Sequence, residues 1–94
     1  MRSISSFLST FLSSLKDEDT CLIVLAELWP QIVGPEVAPH SQPHRLRRGR
    51  LVLAVSNNLW RAELSSMEPL LIQAVNQFWA RNLVKAIELG SSQD

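Results

Sequence analysis

The sequence predicts an α+β domain in which helices cover one face of a small three-stranded sheet. Three features carry that prediction. Residues 45–55 (RLRRGRLVLAV) place Leu46, Leu51, Leu53 and Val55 on one face and Arg45, Arg47 and Arg50 on the other, around a turn at Arg48-Gly49. Apolar residues recur every three or four positions on both sides of this unit, from Leu22 to Val33 and from Leu64 to Phe78, as helices require. A last apolar run, Leu83 to Leu89, has the length of a strand. The order is helix, helix, strand, strand, helix, helix, strand, and 94 residues give room for one two-layer core.

The elements follow in turn. Ile4, Phe7, Leu8, Phe11, Leu12 and Leu15 make a single helical stripe among serines, so residues 1–18 read as an amphipathic helix and linker ahead of the domain at 19–89. Docking on the core is the plainest use of that stripe; Phe7 and Phe11 are where it would instead hold a partner. Arg2 is the only basic residue before Lys16, too little charge for an anionic lipid surface or a transit peptide. Lys16 to Thr20 breaks the stripe and supplies N-cap candidates. The next helix buries Leu22, Leu25, Ala26, Trp29, Ile32 and Val33; Pro30 kinks it or ends it near Trp29, and Gly34-Pro35 closes it. Pro35, Pro39 and Pro43 make Glu36 to Arg47 an extended lead-in or an edge strand. Strict alternation puts His44 on the face of Leu46, half buried.

Ser56-Asn57-Asn58 offers caps for a short helix, Leu59 to Leu64. Ser65 and Glu68 fit a capping box, with Pro69 in the first turn of a second helix. Its stripe of Leu64, Met67, Leu71, Val75 and Phe78 runs to about Trp79. In the closing strand Leu83, Ile87 and Leu89 share a face with Lys85, which an edge position or a bulge would explain. Gly90 to Asp94 is a polar tail.

Nine cations and nine acids cancel, but they are unevenly spread. Residues 1–44 carry two cations against five acids, and residues 62–94 carry two against four. Between them, residues 45–61 hold five arginines and no acid. Such a stripe attracts phosphate by charge and bidentate hydrogen bonds without reading sequence. Arg45, Arg47, Arg48 and Arg50, joined by Arg61, are the candidate contacts for DNA, single- or double-stranded. A solvated basic face that keeps a small domain soluble has the same composition. Trp60 lies close by in sequence and could stack on a base or bind a partner, although a Trp at an apolar helix start is ordinarily buried.

Chemistry of other kinds finds no footing. There is no glycine-rich phosphate loop, no H-E-x-x-H and no G-x-S-x-G. Cys21 stands alone in an apolar helix, which excludes an internal disulfide, fits a reduced cytoplasmic protein and makes a poor nucleophile. His40 and His44 sit in an extended segment without a Cys or carboxylate nearby, so no metal site is expected. No apolar run approaches the roughly 18 residues that would cross a bilayer. The expectation is a non-enzyme with no cofactor, no metal, no membrane and no small-molecule substrate.

The ordered series Trp29, Ile32-Val33-Gly34, His40, Pro43, Leu46, Gly49, Leu51, Leu53, Val55, Ser56, Trp60, Glu63-Leu64 and Leu70-Leu71 resembles the DciA family of bacterial replicative-helicase loaders, long described as a domain of unknown function. The likeness spans roughly residues 22–89. It implies a type II K-homology-like fold (α-α-β-β-α-α-β) and a DNA-associated accessory of replication that helps the replicative DNA helicase onto DNA without an ATPase of its own. Two departures stand out. K-homology domains bind nucleic acid with a GxxG between paired helices, and the matching junction here, Ser65-Ser66-Met67-Glu68, has no glycine and one acid. Longer family members also carry an extension that contributes to helicase contact, where this sequence has Gly90 to Asp94. A protein-interaction module, or a truncated regulatory paralogue without DNA binding, is therefore the alternative.

Overall fold

A computed structural model describes residue 15 and residues 17–91. The stripe of residues 4–14, with Phe7 and Phe11, lies outside them; Leu15 packs against the core.

Helix α1 (Glu18–Glu27) starts where Asp17 accepts hydrogen bonds from the Thr20 amide at 3.1 Å and the Thr20 hydroxyl at 2.8 Å. Glu18 and Asp19 in the first turn complement the helix dipole. Cys21 and Leu25 are fully buried, and Trp29 continues their row into α2 (Trp29–Val33). The break falls at Leu28 because Pro30 has no N–H to continue the ladder. Restarting there puts Pro30 in a first turn, where no N–H is needed. Gly34, at φ 98°, ends the unit. Trp29 then fastens the next segment: its indole N–H donates to the Ser41 hydroxyl at 3.0 Å, and that hydroxyl donates to the Val37 carbonyl at 3.1 Å.

The lead-in to the sheet differs from the sequence expectation. Ala38–His40 forms a 3₁₀ turn rather than extended chain, with the fixed φ of Pro39 suiting the tight helix. Strand β1 (Ser41–Arg47) then pairs antiparallel with β2 (Arg50–Val55), matching Leu46 to Leu51 and Arg47 to Arg50. Arg48 and Gly49 both have positive φ, 53° and 81°, which gives a two-residue turn whose twist matches that of the strands. Upstream, the register slips between Pro43 and Arg45, so His44 is an extra, bulged residue. His44 is therefore exposed rather than half buried, and Pro43 takes the inward place opposite Leu53.

Helix α3 (Asn58–Ser66) begins at Asn57, whose side chain accepts from the Trp60 amide at 2.9 Å. The capping box does not form. Helix α3 runs through Ser65, and α4 (Glu68–Trp79) starts at Met67 without a side-chain cap. Pro69 does occupy its first turn. The carboxylate of Glu68 instead accepts from the Ile87 amide at 3.0 Å. After α4, Asn76 holds the connection through both of its amide atoms. Its nitrogen donates to the Val84 carbonyl and its oxygen accepts from the Val84 amide, each at 2.9 Å. Leu83 and Val84 are thus buried side by side in a connecting segment, before the strand rather than within it. Strand β3 (Ala86–Ser91) starts later than the apolar run suggests and includes Gly90 and Ser91.

β3 pairs parallel with β2, placing Leu51 beside Ile87 and Leu53 beside Leu89, so the sheet order is β1-β2-β3 with helices α3 and α4 as the crossover. As an edge strand β3 has outward backbone groups to satisfy. Two are met from the helices: Glu68 takes the Ile87 N–H, and Arg61 donates to the Leu89 carbonyl at 2.8 Å. Leu46, Leu51, Leu53 and Val55 form the core with Cys21, Leu25, Trp29, Leu64, Leu71, Val75, Trp79, Leu83 and Val84. All the described helices lie on that side of the sheet.

Candidate nucleic-acid interface

The hairpin is what sets the site. Because Leu46 and Leu51 point into the core, the neighbouring pair Arg47 and Arg50 must point out on the opposite face. Arg45, level with Val52, joins them, and Arg48 stands at the turn; all four are exposed. With Val52 and Glu88 they line one depression of about 510 Å³ on the open face of the sheet. Two arginines opposite each other on a ladder repel, so this arrangement persists only where water or an anion takes up their charge.

One carboxylate belongs to the depression. Glu88 lies next to Val52 in the parallel register, and its Oε1 approaches the Arg50 Nη1 at 3.4 Å. The two side chains are 55% and 64% exposed, so the pair is worth at most about 1 kcal/mol and leaves Arg50 able to exchange it for a phosphate. Among the described residues it is the one ion pair found. Arg45, Arg47 and Arg48 take part in none of the side-chain hydrogen bonds among those residues.

The structure does not bring every expected residue together. Arg61 is partly buried on the helical side, where its guanidinium holds the edge of β3 and borders a separate hollow with Leu64, Ser65, Glu68, Ile87 and Leu89. Helix phase decides this, since Arg61 and Leu64 are three positions apart and so neighbours on one side. Trp60 is partly buried and lies flat against His40, ring centres 4.4 Å apart and planes 10° apart. The His40 Nδ1 in turn meets the Ser56 hydroxyl at 3.3 Å. That stack belongs to the end of the hairpin away from the turn, and Trp60 does not line the arginine depression. Phe7 and Phe11 lie outside the described residues.

Sequence reasoning missed Val52 and Glu88, which come into the depression through strand pairing, and also Arg81 and Lys85. The backbone amides of Lys85 and Ala86 donate to the Gly49 carbonyl at 2.7 and 3.2 Å, so the chain returns to the turn at that point. Burial pushes the Cys21 thiol above its ordinary 9.0, with Arg81 nearby pulling the other way. No cluster of three or more His, Cys, Asp or Glu among the described residues could hold a metal ion, and no described helix is long and apolar enough to cross a membrane.

Among the described residues, an exposed group of four guanidiniums with one carboxylate on the open face of a sheet has the chemistry to bind a polyanion. A search of the curated proteins finds no match for the chain. A family model does match, over residues 3–89, and so over nearly all of the sequence; its description is "Dna[CI] antecedent, DciA". The chain belongs to the DciA family, which is tied to loading of the replicative helicase in DNA replication.

Proposed function

We propose that this protein is a nucleic-acid-binding accessory of DNA replication that assists loading of the replicative helicase, and that Arg45, Arg47, Arg48 and Arg50 contact DNA phosphates. The observation that carries the DNA-binding half is the exposure of four guanidiniums around one open-face depression with a single carboxylate among them. Contacts of that kind position a backbone and carry no sequence information, so binding is sequence-tolerant and salt-sensitive. The helicase half rests on membership of the family. The order of helices and strands supports a K-homology-like reading of the fold, with nucleic acid on the arginine face rather than at the α3–α4 junction. That junction offers Ser65, Ser66 and Glu68 and no glycine.

The test is a titration of labelled DNA at low salt with the native chain and with Arg47→Glu/Arg50→Glu. The native chain should bind tightly, and the variant should lose most of that affinity. Equal affinities would remove the arginine face as the site. Helicase capture by the same two proteins separates the two halves of the proposal: a DNA-deficient variant that still retains helicase places that contact elsewhere.

A further inference from the structure

The basic surface does not stop at the arginine face. A second depression, of about 320 Å³, lies beyond the hairpin turn and is lined by Glu18, Arg48, Gly49, Arg81, Asn82, Leu83 and Lys85. Arg48 borders both depressions, held on the rim by the left-handed backbone of the turn. Together the two contain six of the chain's nine cations and only two of its nine acids, a net charge of +4 in a chain whose total is zero. Of the two acids, Glu18 already accepts from the Gly49 amide at 3.1 Å and Glu88 is paired with Arg50. Arg81 Nε is buried and meets no hydrogen-bond partner among the described residues, while Arg81 Nη2 lies 3.7 Å from the Cys21 sulfur. Arg81 Nη1 makes none of the side-chain hydrogen bonds among the described residues, so this guanidinium keeps a donor for an anion entering the depression.

The geometry points to a second phosphate-binding site at Arg48, Arg81 and Lys85, continuous with the first, so that one nucleic-acid strand crosses the open face and bends over the turn. This rests on the reading of the arginine face given above and adds a path to it. The first depression opens on the bare side of the sheet; the second reaches Glu18 at the start of α1 and the α4–β3 connection, on the helical side. A backbone serving both must turn a corner within one small domain. A duplex, stiff over about 150 base pairs, resists such a bend, whereas a single strand does not. The path therefore selects single-stranded nucleic acid, with Arg48 at the corner.

Lys85 gives the cleanest test. It is exposed, and its stem rests on the turn, so Lys85→Gln keeps the packing and removes the charge. Fluorescence anisotropy of single strands of about 4 and about 16 nucleotides, the span of sites on comparable single-strand binders, separates direct contact from diffuse charge. Lys85→Gln should weaken the long strand severalfold and make its salt dependence shallower by about 0.7, the share of one phosphate. It should leave the short strand, which the open face holds alone, unchanged. Arg81→Gln, checked for folding by its melting curve, should behave alike. An unchanged long strand, or equal weakening of both lengths, overturns the second site. If Arg47→Glu/Arg50→Glu still abolishes binding in that case, the arginine face stands without it. No binding by the native chain would defeat both.

Discussion

Replacing Gly49 probes the device that aims the arginines. Gly49 sits at φ 81°, where a residue with a Cβ pays about 1–2 kcal/mol. A Cβ built there would also come 3.1 Å from Lys85 Cγ and 3.2 Å from Cδ, a contact the flexible lysine stem relieves by moving slightly. In Gly49→Ala the reduced freedom of the unfolded chain offsets about 0.4–1 kcal/mol of this. The net loss is about 1 kcal/mol, which for a domain of this size lowers Tm by about 4–8 °C. Asparagine accepts the left-handed region, so Gly49→Asn should lie between the two. Differential scanning calorimetry of the three proteins reads the order directly. Calorimetry in which Gly49→Ala melts with the native chain, or Gly49→Asn melts below Gly49→Ala, would refute the turn as the source of the hairpin's geometry. Net charge is identical in all three, so a fall in DNA affinity would report the altered aim of the arginines and of Lys85 rather than a loss of charge.

Three further outcomes follow from named contacts. Ser41→Ala leaves the buried Trp29 indole N–H without its acceptor and should cost about 1–3 kcal/mol in urea denaturation, most of it recovered against a Trp29→Phe background. Asn76→Ala strips both hydrogen bonds from Val84 and should destabilise the chain by about 2 kcal/mol, with faster amide exchange in the α4–β3 connection. Cys21 has its pKa raised in the fold, so the stability it contributes is complete below the ordinary thiol pKa of 9.0 and is lost as pH rises through the higher folded value. Urea midpoints should fall on that alkaline side, and Cys21→Ala should flatten the fall.

The hairpin was legible because its information is local. A glycine after an arginine, and leucines spaced by two, fix the turn, the register and the faces of Arg45, Arg47 and Arg50 without help from the rest of the chain. His44 was not, since alternation assumes an unbroken ladder and nothing in the neighbouring residues announces a bulge. Ser65 and Glu68 had the spacing of a cap, yet the carboxylate found a stronger use on the exposed N–H of Ile87, a partner nineteen residues away. Arg61 looked like part of the stripe in sequence and was drawn off to β3 by the phase of its helix. Arg81 and Lys85 reach Arg48 only through the parallel return of β3, a long-range pairing with no local signature. What the sequence conveyed was thus the charge and the turn; the company the turn keeps came from the fold.

If DNA binds as proposed, it lies on the open face of the sheet against the arginines. Amide chemical-shift mapping of the isotope-labelled chain during addition of a single-stranded oligonucleotide tests it most directly. The largest shifts should gather at Arg45, Arg47, Arg48, Arg50, Val52 and Glu88, and should shrink as salt is raised. Shifts centred instead on the α3–α4 junction around Ser65 to Glu68, with the hairpin unmoved, would contradict that placement.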